Sequence, residues 1–290
     1  MTRLCELHYQ ALRRAYALKF QSLVSLETFP DTLHANRLET AIVLTLSGDE
    51  RLDELHRVAF ESLRSNIGTF KLVVVQEGSS REWLKNSTRL EWVVHASPVD
   101  ERKAYGRAFD RFSGIYGASV KPAAIRWLSN SLYSRAWIIE PDTVFTGKWS
   151  ELFGKYADDR SDLIAYNVTF RFQNRTSWNH WHGCTLCGGL ADWKKQASLL
   201  PAFRITRTLA EALVLHLRTT KMSGHHEAVL PTFVTANAEH FSWCDLAPDV
   251  EYFRWRPVWD ASRLALPNSL YHPVKSPASF RRISPSFSLS

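Results

Sequence analysis

Between residues 40 and 140 the chain spells short apolar runs at intervals: Ala41-Ile-Val-Leu-Thr-Leu-Ser47, Lys71-Leu-Val-Val-Val-Gln76, Glu91-Trp-Val-Val-His95 and Arg135-Ala-Trp-Ile-Ile-Glu140. Each reads as a buried strand. The stretches between them switch to helical spacing. Leu52, Leu55, Val58, Ala59 and Leu63 share one face of Asp49 to Asn66, and residues 118–132 read as a helix with Pro122 in its first turn, where a missing N–H is harmless. Strand, helix, strand at this spacing pairs in parallel through right-handed crossovers. The expected fold class is α/β, with a mostly parallel central sheet and helices on both faces of a single large domain. With 290 residues, 45% of them hydrophobic, the chain can bury such a core without staples.

Ligands of such sheets bind beyond the carboxyl ends of the strands. Here those ends are Ser47-Gly48-Asp49, Glu77-Gly78-Ser79 and Glu140-Pro141-Asp142. The last is the sharpest feature of the sequence. Two carboxylates one residue apart, at a strand terminus, can reach one hard cation from the same side. Mg²⁺ or Mn²⁺ takes oxygen ligands and completes its shell with substrate phosphates. The plainer reading is an acidic turn after a strand.

The wider pattern resembles the nucleotide-sugar half of the GT-A glycosyltransferases. The matching residues are the first apolar strand and its loop, the Glu77-Gly78-Ser79 turn, Lys121 on a helix, and Glu140-Pro-Asp142 after an apolar strand. Glu140 to Trp149, Gly224-His-His-Glu227 and Tyr271-His-Pro-Val-Lys275 are similar to uncharacterised glycosyltransferase-like families, so the resemblance spans residues 40–275. Glu140 stands where the usual motif has Asp, which lengthens the arm. The resemblance implies a metal-dependent transferase moving a sugar from a nucleotide diphosphate donor, a UDP-sugar, to a glycan or other hydroxyl acceptor. It implies Asp142 as main ligand of the divalent cation, Glu140 on metal or ribose, and His272 as a further ligand. Glu77 would meet the base, and Lys121 and Lys275 would neutralise phosphate oxygens.

Gly224-His225-His226-Glu227 opens a helix whose amides and dipole favour an anion. Glu227 is the candidate general base for the acceptor hydroxyl; its plainer role is a dipole-matched helix-start acid. His225 beside it is a candidate acceptor contact. In Trp178-Asn-His-Trp-His-Gly-Cys-Thr-Leu-Cys-Gly-Gly189, His180, His182, Cys184 and Cys187 are legitimate zinc ligands. Yet only one Cys-x-x-Cys is present, with histidines crowded before it, so an acceptor loop is preferred. There Trp178 or Trp181 stacks on a sugar face, the competing expectation being buried core tryptophans.

These features divide the chain into an N-terminal helical extension (1–39), a nucleotide-sugar half (40–147), an acceptor half (148–275) and a flexible Ser/Pro-rich tail (276–290). The second half reads as a short helix from Trp149, a strand at Asp162 to Tyr166, and a helix opened by a Thr208-Leu-Ala-Glu211 capping box. A further helix is expected from Gly224 to Pro231. Four scattered cysteines suit a reducing compartment. No run of apolar residues is long enough to span a bilayer, so a cytoplasmic protein is expected. Basic amphipathic residues 1–24 are a candidate peripheral membrane contact. The excess of 36 Lys+Arg over 29 Asp+Glu is spread along the chain, and no nucleic-acid-binding signature accompanies it. A nucleic-acid binder, a carbohydrate-binding module without catalysis and a metal-dependent hydrolase are the rival readings.

Overall fold

The computed structural model describes residues 40–85, 90–113, 119–170, 181, 183–260 and 262–285. The expected N-terminal helix, Trp178, His180, His182 and the last residues of the tail lie outside the described residues.

Strands β1 (Thr40–Leu46), β2 (Lys71–Glu77), β3 (Leu90–Ala96) and β4 (Arg135–Ile139) pair in parallel in the order β3-β2-β1-β4. The sheet then continues through the strand expected at Asp162 to Tyr166 and through two strands that the sequence pattern hid. β7 (Gln196–Thr206) runs antiparallel beside β4, β6 (Leu163–Phe170) antiparallel beside β7, and β8 (Trp243–Asp245) parallel to β6. A smaller sheet, β5 (Val144–Phe145), β10 (Leu270–His272) and β9 (Val250–Phe253), lies against the end of the large one.

Alternation along the strands explains the two layers. Val43, Val73, Ala136 and Ile138 face one side, in a layer shared with α2 (Pro98–Tyr105), α3 (Val120–Ser129), α5 (Arg207–Thr220) and α6 (His226–Ala236). Ile42, Leu44, Val74, Trp137 and Ile139 face the other, against α1 (Asp53–Asn66), α4 (Trp149–Lys155) and α7 (Pro277–Ile283). With both faces covered, β1, β2 and β4 are apolar almost throughout, which is why they read as continuous runs. Strand β3, expected to be buried as well, is the edge strand and leaves Trp92 45% exposed. The mixed α/β sheet with helices on both faces is as expected.

Several local expectations are corrected. Helix α5 is capped by Thr206, whose hydroxyl accepts the Leu209 N–H at 3.3 Å, and not by Thr208. Thr206 is the extended last residue of β7, so the chain turns into the helix there. Helix α6 continues through Pro231 to Ala236. The proline denies the Glu227 carbonyl an intrahelical partner but does not stop the helix, because the apolar residues beyond it are buried. The tail is not loose over its described part. Phe280 of α7 is buried, and Ser284 Oγ lies 2.7 Å from Ser62 Oγ of α1. Finally, Cys184 and Cys187 form a disulfide, which removes both thiolates from the zinc reading.

Candidate active site

The parallel strands end along one edge, and the turn after β4 is held there by backbone bonds on two sides. Glu140 N–H donates to the Pro201 carbonyl of β7 at 2.7 Å, and Thr143 N–H closes the turn on the Glu140 carbonyl at 3.1 Å. From the other side, Val274 N–H donates to the Asp142 carbonyl at 2.9 Å. That bond ties the turn to the segment following β10, and so delivers His272 and Lys275 to the paired acids.

His272 Nε2 lies 3.0 Å from Glu140 Oε2 and 3.4 Å from Asp142 Oδ2. One ligand atom from each of these three residues falls within 4.8 Å of the others. Lysines flank the group. Lys121 Nζ of α3 is 2.5 Å from Glu140 Oε1, and Lys275 Nζ pairs with Asp142 Oδ2. Burial pushes the Asp142 carboxyl up, but His272 and Lys275 outweigh it and hold it well below the usual range. Glu140 is likewise pushed up by burial and pulled further down by Lys121 and His272. For His272 burial favours the neutral ring, yet Asp142 and Glu140 together raise it.

The donor set suits a hard divalent cation. Two ionised carboxylates and an imidazole nitrogen already converge on one point, where a proton on His272 now supplies the positive charge. His272 Nδ1 is buried without a hydrogen-bond partner among the described residues, so the ring is oriented through its other nitrogen and by edge-on packing against Phe253.

Lys121 also fixes a residue that the sequence reading did not single out. Its ammonium lies 3.1 Å from His226 Nε2. An ammonium can only donate, so Nε2 accepts and the ring proton sits on Nδ1, 3.3 Å from the Phe112 carbonyl. In sequence His225, His226 and Glu227 are adjacent on a helix start, and nothing there says which faces the acids. Pairing of the histidine with a lysine from α3 is the signal, and it is visible only in space.

Glu227 stands at the start of α6, next to this group. Leu200 N–H of β7 donates to its Oε1 at 3.3 Å, and its own N–H donates to His225 Nδ1 at 3.3 Å. Burial raises its carboxyl to about 7, with Lys121 pulling it down and Glu140 pushing it up. The carboxyl therefore titrates near neutrality, as a proton acceptor at neutral pH must. The helix start is set by packing. A Cβ on Gly224 would meet Cys184 Cα at 2.7 Å, so only glycine lets the chain pass the disulfide. Ser223 carbonyl receives the Thr185 and Leu186 amides at 2.6 and 3.1 Å from the same disulfide loop.

Glu77, at the end of β2, receives a hydrogen bond from Ser119 Oγ at 2.9 Å. The turns after β1 and β2 touch: a Cβ on Gly78, whose φ is +82°, would lie 3.6 Å from Gly48 Cα. Beneath them Arg81 donates to the Ser47 carbonyl at 2.7 Å, Gln76 Oε1 at 3.2 Å and Asp53 Oδ1 at 3.0 Å. This arginine, unremarked in sequence, fastens the ends of β1 and β2 to α1.

The structure thus brings Lys121, Glu140, Asp142, His272 and Lys275 together, with Glu227 and His225 beside them and Glu77 two strands from Glu140, at the end of β2. Trp181 is not among them. It is buried in the core layer under α6, which is the second of the two expectations for it and removes it as an exposed sugar platform.

No protein-family model and no curated protein matches the chain. Among solved structures, the chain is similar to the galactosyltransferase LgtC in complex with donor and acceptor sugar analogs, at 11% identity and a TM-score of 0.45 over 72% of this chain and 75% of that one. An active-site mutant of LgtC aligns at 11% identity and a TM-score of 0.47, covering 80% of this chain and 87% of that chain. The glycosyltransferase GlyE of Streptococcus pneumoniae TIGR4 aligns at 9% identity and a TM-score of 0.39, over 71% and 46% of the respective chains.

Proposed function

We propose that the chain is a metal-dependent glycosyltransferase that moves a sugar from a nucleotide diphosphate donor, a UDP-sugar, to a hydroxyl acceptor. The observation that carries this reading is the convergence of Glu140, Asp142 and His272 at the carboxyl edge of the parallel strands, bracketed by two lysines. Acids alone would repel a diphosphate. Acids that hold a cation, with ammonium groups on either side, attract one.

Asp142, Glu140 and His272 would hold Mn²⁺ or Mg²⁺, which stabilises charge developing on the departing diphosphate. Lys275 and Lys121, now paired with Asp142 and Glu140, would neutralise phosphate oxygens. Glu77, at the end of β2 on the same edge of the sheet, would meet the nucleoside. Glu227, with its carboxyl poised near neutrality, takes the proton from the acceptor hydroxyl as that oxygen attacks the sugar; such a base belongs to an inverting transfer. His225 sits beside it on the acceptor side, and Trp178, if it stacks on a sugar, does so from outside the described residues.

Titration of the full chain with UDP, with and without Mn²⁺, tests the reading. Metal-dependent binding that is lost in Asp142→Ala, with the fold kept, supports it. Salt-sensitive binding to oligonucleotides with no UDP response would favour the nucleic-acid rival. Release of free sugar at the same rate with and without acceptors would favour the hydrolase.

A further inference from the structure

The connection from β9 to β10, residues 254–269, holds apolar side chains in water. Trp255 is 64% exposed and Leu264 91%, with Val258 and Leu266 also exposed. This is not for want of anchoring. Trp259, in the middle of the segment, is buried against Tyr271 with ring centroids 5.2 Å apart, and its N–H donates to the Pro273 carbonyl at 2.9 Å. Arg254 N–H donates to the His272 carbonyl at 3.1 Å, Tyr252 Oη to the Pro257 carbonyl at 2.9 Å, and Leu266 N–H to Tyr271 Oη at 2.7 Å. The loop is pinned to β10, and its tips are held outward. Apolar groups that a well-anchored chain keeps in solvent mark a contact surface.

The charges on the segment say what kind. Arg254, Arg256 and Arg263 alternate with the apolar residues and are all exposed. The neighbouring acids are Glu251 and Asp260. Asp260 is engaged with its own turn, accepting the Ser262 N–H at 2.9 Å, and its carboxyl is lowered by Ser262 and then by Arg263 and Arg282. Arg282 of α7 therefore adds to the same cationic side. Tryptophan and leucine tips interleaved with guanidinium groups match the boundary of an anionic bilayer. The apolar tips enter at acyl depth, and the arginines meet headgroup phosphates in their preferred fork geometry. A second copy of the chain docking through this same face would instead set arginine against arginine, which repels.

We propose that the Trp255–Leu266 segment docks this chain onto an anionic lipid surface. Since the segment is bonded to His272 and Pro273, docking sets the carboxyl edge of the sheet close to the headgroups. The inference stands on the loop alone and does not depend on sugar transfer.

The test is co-sedimentation of the full chain with vesicles of phosphatidylcholine, with and without phosphatidylglycerol. The chain should partition onto the anionic vesicles and come off at high salt. Trp255→Ser with Leu264→Ser should weaken partitioning about 30-fold, from the apolar area withdrawn. Arg256→Glu should weaken it about tenfold. All of these side chains are exposed, so thermal melting should be unchanged. Absence of vesicle binding, equal binding to neutral vesicles, or binding that survives the double substitution and so comes from another segment would each overturn the proposal. So would a dimer in sedimentation velocity that the double substitution abolishes, since the occupant would then be a second copy.

Discussion

Lys121 Nζ stands 2.5 Å from Glu140 Oε1, so the first acid of the Glu-x-Asp pair already carries a fixed protein cation. The partner lysine on the second acid is different in kind. Lys275 has 51% of its side chain in solvent against 9% for Lys121, so it can swing from Asp142 to a phosphate at little cost. Asp142 is the carboxylate freer to exchange its lysine for a metal. Asp142→Asn is therefore expected to weaken manganese-dependent UDP binding by about 100-fold or more, and Glu140→Gln to weaken it less. Isothermal titration of both variants measures the order, and a larger loss in Glu140→Gln would reverse the assignment.

Glu227 gives a pH prediction with a definite sign. Its carboxyl titrates at about 7 in the folded chain and near 4.5 in the unfolded one. Between those values the folded state holds the extra proton, so stability falls as pH rises through that window and levels off above it. Glu227→Gln should remove this slope, making the variant more stable than the parent at pH 8 by on the order of 2 kcal/mol, with no such gain at pH 4. Urea melts at the two pH values test this.

The same group sets the expected rate profile. Transfer should rise with pH as Glu227 deprotonates near 7 and stay low and flat across that range in Glu227→Gln. UDP binding should be nearly the same in both, because in the proposed function Glu227 contacts neither the metal nor the diphosphate. Turnover in the glutamine variant equal to the parent would remove Glu227 as the base.

Arg204 is a charge buried in β7 at 1% exposure, and its guanidinium is shared out among the carbonyls of Tyr156, Asp159 and Ser161 and the Asp159 carboxylate. Burial lowers it to about 10, with Arg135 lowering it further and Asp159 opposing, so it remains charged at neutral pH. Arg204→Met should cost about 3–5 kcal/mol, because it leaves those acceptors buried without a donor. Denaturation in urea is the measurement. A loss under about 1 kcal/mol would mean that water replaces the guanidinium.

At Gly224 the obstacle to a side chain is Cys184 backbone, which cannot move aside as a flexible side chain would. Gly224→Ala should destabilise by about 1–3 kcal/mol. It should also lower turnover more than UDP binding, since the displaced element carries His226 and Glu227 while the paired acids hang on β4 and β10.

The parallel half of the sheet was legible because strands covered on both faces are apolar almost throughout: Ile42 to Leu44 and Leu72 to Val75 are so at every position, and Thr45 turns its hydroxyl to the Ile139 carbonyl. Strand β7 was not. Pro201 interrupts it and Arg204 reads as an outward charge, whereas in space the proline offers only its carbonyl to Glu140 and the arginine finds a ring of carbonyls. The grouping of Glu140 with Asp142 follows from their spacing. Their meeting with His272 was suggested by a resemblance and is produced by the bond from Val274 to Asp142, which no local pattern encodes. His226 was passed over because its partner lies on another helix. Conversely, Trp181 looked like a stacking residue and is core, since an aromatic residue in a glycine-rich stretch carries no mark of its exposure.

Strand β7 has one further consequence. Neighbouring residues on it, Leu200 and Pro201, hold Glu227 and Glu140 respectively, so a single stretch of backbone acts as a ruler between Glu227 and the acid pair. Because β4 and β6 are laced to either edge of that ruler, the sheet itself sets the spacing between these acids. In the proposed transferase, a bulkier acceptor would therefore be fitted by reshaping the connecting segments around the acids, never by lengthening the gap between them.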